Sequence, residues 1–252
     1  KEYHLFQNAP PHHLHGGRNG FNKKIWILED IKKEQNYIKC TLSYFSKNLE
    51  ENYPGNLECK AIYELNNNNE IIIKFIAKSD QDTIVNITNH NYWNFHGHAK
   101  FYKSIEGHSV KIYSEKICEN NKDLIPTGNL IDIKKTKYDF INHNLITTEL
   151  LKNGGIDNNY DIGNNKLLKK AAEVYSTLTR MGVVYYTDQP GIQFYTGNMM
   201  QKYYNGSQVT TFFDRTIDAD EHRALNYIIQ STAADLFLRQ MIKVWEFLKD
   251  KK

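Results

Sequence analysis

Polar and apolar residues alternate along much of the first 205 residues of the chain. The clearest segments are 37–44, 58–65 and 70–78, and such alternation is typical of half-buried β-strands. The asparagine run at 66–69 separates the last two segments and predicts the turn of a β-hairpin. Further strands are predicted at 83–89, 108–114 and 182–187. Many strands with almost no helical periodicity predict a mainly β fold built as an antiparallel sandwich.

The pattern changes after residue 205. Residues 219–248 contain neither glycine nor proline, and apolar residues follow one another there at steps of three and four, with some gaps. This spacing predicts one or two amphipathic α-helices, with Asp218 or Asp220 capping the first. We therefore expect two parts, a β-sandwich over residues 1–205 and a helical tail over residues 206–252.

Composition narrows the functional classes. The chain has 252 residues and a net charge of +3, which weighs against a strongly basic nucleic-acid binder. No apolar run approaches the roughly 20 residues that span a bilayer, so no membrane partner is expected. The first residues resemble neither a secretory signal nor a transit peptide. Three widely separated cysteines favour a reducing, cytoplasmic setting over a disulfide framework. The oligomeric state is not predicted.

The first polar cluster is the sequence LHGGRNGF at 14–21. Two glycines after His15 permit a tight backbone path that leaves the imidazole facing open space. His12, His13 and His15 are crowded enough to suggest a metal site. However, ligands this close in an irregular loop rarely complete a coordination sphere, and no carboxylate accompanies them. A plain or substrate-contacting loop is the preferred interpretation.

The second cluster runs from Asn86 to Phe95. Strand alternation places Asn86, Thr88 and His90 on one face, beside Tyr92 and Trp93. Amides can bind sugar hydroxyls, and aromatic rings can stack on the apolar C–H faces of a sugar. The alternative interpretation is a buried histidine satisfied by its neighbours, with Trp93 in the core. The composition alone does not separate the two.

Two more clusters occur further along the chain. GGIDNNY at 154–160 places Asp157 in a predicted loop after two glycines, and QPGIQFYTGN at 189–198 predicts a turn and a short strand containing Gln193 and Tyr195. Taken singly, Asp157 would be read as a turn residue and Gln193 as a surface amide.

Together and in this order, the clusters resemble the aldose 1-epimerases, or galactose mutarotases. The matching stretches are LHGGRNGF, TNHNYWNFHGH at 88–98, LIPTGNL at 124–130, GGIDNNY and QPGIQFYTGN, within residues of about 1–200. The resemblance implies a galactose mutarotase-like antiparallel β super-sandwich, here incomplete, with a sugar cleft on one face.

The resemblance also implies residue roles. His90 would be the general acid that protonates the ring oxygen of a hexose. Substrate would be bound by His15, Asn91, Tyr92, Asp157 and Gln193. The expected activity is interconversion of the α and β anomers of galactose or glucose by acid–base ring opening. A small-molecule hexose is then the expected partner, and no cofactor or metal is needed.

Three departures from the family pattern affect this expectation. The chain is expected to begin after an N-terminal region that carries a sugar-binding arginine. Asn158 stands where the family usually has histidine. No strand of the Leu-Glu-Thr-Gln type, which carries the family's catalytic glutamate, follows Asn198. No base is therefore assigned, and activity is expected to be impaired.

The tail has a resemblance of its own. Residues of about 206–250, with His222, Asn226 and Gln230 at steps of four, are similar to a palm helix of family A DNA polymerases. This favours a fusion of two fragments, and the alternative is an amphipathic helix packed on the sandwich. The rivals to the enzyme are a non-catalytic sugar-binding remnant, a nucleic-acid binder that uses the tail, and an unstable fragment. DNA binding would depend strongly on salt, and the charge balance makes it the less favoured class.

Overall fold

The computed structural model describes residues 1–97 and 104–198, together with the backbone of strands at 207–210 and 216–219. The described residues divide into two compact units. We call residues 1–91 the N-terminal unit and the described residues from 92 to 219 the C-terminal unit.

The N-terminal unit contains one antiparallel sheet of four strands in the order β1–β2–β3–β4. The strands are β1 Ile27–Lys33, β2 Tyr37–Ser46, β3 Leu57–Asn66 and β4 Ile71–Ser79, and short 3-10 turns lie at Phe21–Lys23 and Glu50–Asn52. Cys59 pairs with Tyr44 and Ala77, so these side chains share one face of the sheet. Cys59 is 1% exposed at the centre of that face. The opposite face mixes charged and apolar side chains and carries the Lys60–Glu29 ion pair at 2.8 Å.

Three predicted strands and the predicted hairpin are confirmed in this unit. The asparagine run closes the hairpin through the side chain of Asn66, whose Oδ1 accepts hydrogen bonds from the backbone N–H groups of Asn68 and Glu70. Asn69 takes a left-handed backbone with φ 61°, which asparagine tolerates better than most residues. Strand β1 was not predicted, because its sequence ILEDIKK places Glu29 beside Asp30. A bulge between Leu28 and Asp30 breaks the alternation there.

The predicted strand at 83–89 is wrong. The structure assigns no strand to these residues, although exposure alternates over the last four of them: Asn86 and Thr88 are exposed, whereas Ile87 and Asn89 are half-buried. Alternation reports only that an extended backbone has two different sides. A strand also needs a neighbouring backbone to pair with, and within the described residues β4 is the edge of the sheet.

The C-terminal unit contains two four-stranded antiparallel sheets, in the orders β11–β10–β5–β8 and β12–β9–β6–β7. A five-residue helix, α1 Thr148–Lys152, begins after Thr147, whose side chain accepts a hydrogen bond from the backbone N–H of Leu150. The strands are β5 His108–Ile112, β6 Lys116–Asn120, β7 Pro126–Asp132, β8 Asn144–Leu145, β9 Asp157–Asp161, β10 Lys169–Ser176, β11 Gly182–Thr187 and β12 Gly191–Tyr195.

Side chains from both sheets meet in one core. Val110 and Ala172 come from one sheet, and Ile117 and Tyr160 come from the other. Tyr160 is fully buried, and its hydroxyl donates a hydrogen bond to the carbonyl oxygen of Tyr138 at 3.0 Å. Burial raises the pKa of Tyr160, so the hydroxyl keeps its proton. The core shows that two sheets pack face to face, and the mainly β prediction is confirmed.

The predicted strands at 108–114 and 182–187 are confirmed as β5 and β11. The prediction of a loop at Asp157 is wrong, because this residue begins β9. Beyond residue 198, β13 Ser207–Thr210 and β14 Thr216–Ala219 form an antiparallel pair. The predicted helices fall mostly on residues from 220 onward, which lie outside the described residues, whereas Asp218, one of the two predicted caps, and Ala219 belong to β14. The division at residue 205 stays a prediction. In the described part of the chain, no helix is long and apolar enough to cross a bilayer.

Candidate functional site

The loop that carries His15 has a left-handed backbone at three successive residues. The φ angles are 52° at His15, 81° at Gly16 and 91° at Gly17. A Cβ atom on Gly17 would lie 2.2 Å from Oε2 of Glu51. The Glu51 carboxylate needs this space, because it accepts hydrogen bonds from the backbone N–H groups of Arg18 at 3.0 Å and Asn19 at 2.8 Å. The absence of a side chain at Gly17 therefore lets the Glu51 carboxylate bind the backbone of this loop.

His13 is a structural part of the same loop. Its Nδ1 lies 2.7 Å from the carbonyl oxygen of Phe6, which can only accept, so Nδ1 carries the proton. Its Nε2 accepts from the hydroxyl of Tyr53 at 2.8 Å. Burial, aided by the nearby Glu51 carboxylate, raises the pKa of Tyr53 and keeps that hydroxyl protonated. Both nitrogens of His13 are used in this way, and no three metal-ligating side chains gather among the described residues.

His15 and His90 come together although 74 positions separate them in the sequence. Their ring centroids are 5.3 Å apart and the rings are perpendicular. Both side chains are exposed, so the interpretation of His90 as a buried core histidine is wrong. Asn91 follows directly and is also exposed. Two accessible imidazoles at this separation can approach the same small molecule and exchange protons with it.

Asp157 and Gln193 come together in the C-terminal unit. The Nε2 group of Gln193 donates to Oδ1 of Asp157 at 2.8 Å. Asp157 pairs with Tyr195 across β9 and β12, and Gln193 pairs with Asn159, so all four side chains share one face. The ring of Tyr92, which is 56% exposed, contacts the ring of Tyr195 at a centroid distance of 6.1 Å.

The loop before Asp157 is held by the residues after Tyr195. Thr196 accepts a hydrogen bond from the Ile156 N–H at 2.8 Å through its Oγ1, and its own N–H donates to the Ile156 carbonyl at 3.0 Å. A Cβ atom on Gly155 would lie 2.0 Å from Oδ1 of Asn198. The two glycine-containing motifs therefore pack directly on each other, which fixes the start of β9.

The two sets of side chains supply different chemistry. The N-terminal unit presents two exposed imidazoles, whose ring nitrogens can donate and accept hydrogen bonds. The C-terminal unit presents a carboxylate, two amides and two tyrosine rings, which suit the hydroxyls and apolar faces of a sugar. Sequence reasoning missed Asn159, and it noted Tyr195 without a role. Asn159 follows Asp157 by two positions, and Tyr195 follows Gln193 by two. This spacing within a strand is the signal that could have placed Asn159 and Tyr195 on the same face.

Comparison with known proteins gives a consistent result. The family model described as aldose 1-epimerase matches residues 1–231. The chain belongs to the aldose 1-epimerase family. It is 34% identical over 206 residues to the galactose mutarotase of Homo sapiens, covering 79% of this chain and 57% of that protein. The aldose 1-epimerase of Escherichia coli K12 is 30% identical over 196 residues, covering 74% of this chain and 54% of that enzyme.

The fold of the aldose 1-epimerase family is also found by structural comparison. The crystal structure of galactose 1-epimerase from Lactobacillus acidophilus NCFM superposes with a TM-score of 0.66 at 24% identity, covering 78% of this chain and 57% of that one. The galactose mutarotase-like fold is therefore shown. This chain spans just over half the length of the curated relatives it matches.

The structure shows where two of the matching stretches, LIPTGNL and GGIDNNY, lie in the C-terminal unit. In LIPTGNL, Pro126 begins β7, and the side chains of Thr127 and Asn129 donate to the Glu119 carboxylate on β6, so the motif joins two strands. Asn158 stands where the family usually has a histidine after the aspartate. It pairs with Phe194 and is 9% exposed. Neighbouring strand residues point to opposite faces. Asn158 therefore faces away from the side that holds Asp157 and Gln193.

The polymerase resemblance of the tail is not supported by these comparisons. It stays a prediction, since residues 220–252 lie outside the described part and the family model extends to residue 231.

Proposed function

We propose that the chain interconverts the α and β anomers of a hexose such as D-galactose or D-glucose. The pairing of two exposed imidazoles, His15 and His90, is the observation that carries the proposal. Membership of the aldose 1-epimerase family supports the reaction class. The relatives named galactose mutarotase support the choice of sugar.

The reaction needs one proton to reach the sugar and one to leave it. His90 donates a proton to the ring oxygen O5 as the C1–O5 bond breaks. The C1 hydroxyl loses its proton to a base, and its electron pair forms the aldehyde carbonyl. Rotation about C1–C2 and reversal of these steps closes the ring with the opposite configuration at C1. His15 binds the sugar beside the same oxygen. The base is not assigned to a residue of this chain.

The C-terminal unit carries the other residues for which we propose sugar binding. Asp157 accepts hydrogen bonds from hydroxyls, and Gln193 keeps that carboxylate in place while offering its own amide oxygen. Tyr92 and Tyr195 present ring surface to the apolar face of the sugar. Asn91 extends the set of amides beside His90.

Polarimetry tests the catalytic proposal. Freshly dissolved α-D-galactose and α-D-glucose are followed with the wild-type chain, with His90→Ala and with the matched control His4→Ala, an exposed histidine of the same unit. We expect the wild type and the control to speed the decay of rotation. We expect the acceleration by His90→Ala to be smaller by a factor of about 10² to 10⁴, the usual contribution of a general acid.

The outcome also separates catalysis from binding. A folded wild-type chain that binds galactose but leaves the decay at the buffer rate would contradict the catalytic proposal and favour a sugar-binding remnant. Equal acceleration by the wild type and His90→Ala would instead contradict the role of His90.

A further inference from the structure

Two buried histidines have no role in the expected site, although His96 lies within the stretch TNHNYWNFHGH. His96 is 9% exposed and His108 is 2% exposed, and their ring centroids are 4.1 Å apart. Ser176, which contacts His96, is fully buried. Buried polar groups are stable only when they are hydrogen-bonded. The partners of these rings therefore show what the pair holds in place.

The hydrogen bonds fix the tautomer of each ring. His96 Nε2 lies 2.6 Å from the carbonyl oxygen of Glu106 and so carries the proton, leaving Nδ1 to accept from Ser176 Oγ at 2.7 Å. His108 Nδ1 lies 2.8 Å from the carbonyl oxygen of Ile105 and so carries the proton. Its Nε2 is then the acceptor for the backbone N–H of Phe95 at 3.0 Å. Burial lowers the pKa of His108, and the neighbouring His96 adds to the effect.

The His108 bond belongs to an unusual arrangement at Phe95. This residue lies outside every strand, yet both of its backbone groups bind side chains. Its N–H binds His108, and its carbonyl accepts from the hydroxyl of Thr179 at 2.6 Å. Next to it, the N–H of His96 donates to Oδ1 of Asn94 at 3.0 Å, which tightens the turn. The backbone at 94–96 is thus held from two sides by residues distant in sequence.

The segment held in this way begins with aromatic residues. Trp93 stacks on Phe95 at a centroid distance of 5.7 Å and an angle of 11°. Tyr92, one residue earlier, contacts Tyr195 on the face that carries Asp157 and Gln193. Fixing Phe95 therefore restricts where the Tyr92 ring can lie.

We propose that His96 and His108, with Thr179, are positioning residues that hold Tyr92 against Tyr195 in the sugar-binding face of the C-terminal unit. The inference rests on the proposed function for its ligand, whereas the placement of Tyr92 can be tested without any ligand. His108 acts on the backbone and has no role in proton transfer to the sugar. Loss of its acceptor frees the Phe95 N–H and lets the Tyr92 ring move.

The experiment uses the full chain, three test variants and one control variant. His108→Leu removes the acceptor and keeps an apolar side chain of similar volume. His108→Gln restores an acceptor oxygen near the position of Nε2. Thr179→Val removes the other bond to Phe95 at an exposed residue, so it tests the same idea where His108→Leu fails to fold. His143→Gln, a partly exposed histidine of the same unit, is the matched control.

The first readout is the nuclear Overhauser contact between the Tyr92 and Tyr195 rings, measured without ligand. We expect it in the wild type, His108→Gln and His143→Gln, and we expect it to weaken or vanish in His108→Leu and Thr179→Val. The second readout is D-galactose affinity by titration, which we expect to weaken by about tenfold in the same two variants.

The two readouts separate the two proposals. An unchanged ring contact in folded His108→Leu and Thr179→Val would overturn the positioning role. A ring contact that is lost as expected in a chain whose wild type binds no galactose would support positioning and contradict the sugar function.

Discussion

Gly17 shows how one missing side chain organises the His15 loop. Gly16 and Gly17 have similar positive φ angles, 81° and 91°, but different surroundings. A Cβ on Gly16 would meet its nearest atom, Cα of Gly20, at an ordinary 3.4 Å. A Cβ on Gly17 would collide with the Glu51 carboxylate that binds the N–H groups of Arg18 and Asn19. An alanine at Gly16 would therefore add only backbone strain, whereas an alanine at Gly17 would add the same strain and also displace the Glu51 carboxylate.

We expect Gly16→Ala to lower the free energy of unfolding by about 1 kcal/mol, the usual cost of a left-handed backbone for a residue with a Cβ. Gly17→Ala should cost about 2 to 3 kcal/mol, because it also displaces Glu51 from two amide donors. Urea unfolding curves of the two variants measure the difference. Equal losses would mean that the Glu51 carboxylate does not hold the loop.

At the scale of elements, the ends of β9 and β12 are joined at one threonine. Thr196 is 7% exposed, and its hydroxyl is the acceptor for the backbone N–H of Ile156, directly before Asp157. Valine has nearly the same shape and no acceptor, so it would leave that N–H buried without a partner. The position of Asp157 relative to Gln193 depends on this join.

We expect Thr196→Val to lower the free energy of unfolding by about 1 to 3 kcal/mol, the cost of an unsatisfied buried donor. Thr187→Val is the matched control at the end of β11, where the half-buried hydroxyl accepts from the N–H of Gln189 in a surface turn, and it should change stability by less than about 0.5 kcal/mol. Thermal or urea unfolding measures both. A neutral Thr196→Val would show that another group can bind the Ile156 N–H.

Strands were predicted correctly from the sequence where polar and apolar residues alternate and a neighbouring strand is present to pair with. Strands β2, β3 and β4 have clear alternation and a turn whose asparagines favour it, so local preference and tertiary structure agree. Residues 83–89 have the alternation but no strand, because pairing depends on backbone that is distant in sequence. The meeting of His15 with His90, and of Asp157 with Gln193, was reachable only through the family resemblance. The roles of His96 and Glu51 depend on contacts that no local pattern encodes.

At the scale of the whole molecule, a surface cluster centred on Glu173 of β10 makes stability depend on pH. The Glu173 carboxylate binds Lys170 Nζ at 2.6 Å, accepts from the hydroxyl of Tyr113, and lies 3.5 Å from His143 Nε2. The bond to Lys170, followed by that to Tyr113, lowers the pKa of Glu173 to about 2. The stabilisation is therefore complete above the ordinary pKa of about 4.5, and it is lost as the pH falls from there towards 2.

We expect Glu173→Gln to make the free energy of unfolding less dependent on pH between about 4.5 and 2, with the wild type and the variant converging at the acid end. The cluster is partly exposed, so added salt should shrink the difference. Unfolding curves at a series of pH values measure it, with Glu58→Gln, an exposed carboxylate on β3, as the control. Parallel pH profiles for the wild type and Glu173→Gln would contradict the lowered pKa.

The burial of Cys59 has a chemical consequence for the N-terminal unit. All three cysteines are free thiols, but Cys59 alone is 1% exposed, and burial, aided by Glu50, raises its pKa to about 11. An alkylating reagent needs both access and a thiolate, so it can react with Cys59 only while β3 is separated from its neighbours. Half-buried Cys40 and Cys118 should be labelled first. The rate at which Cys59 is labelled would then measure how often β3 separates from its neighbours in the sheet.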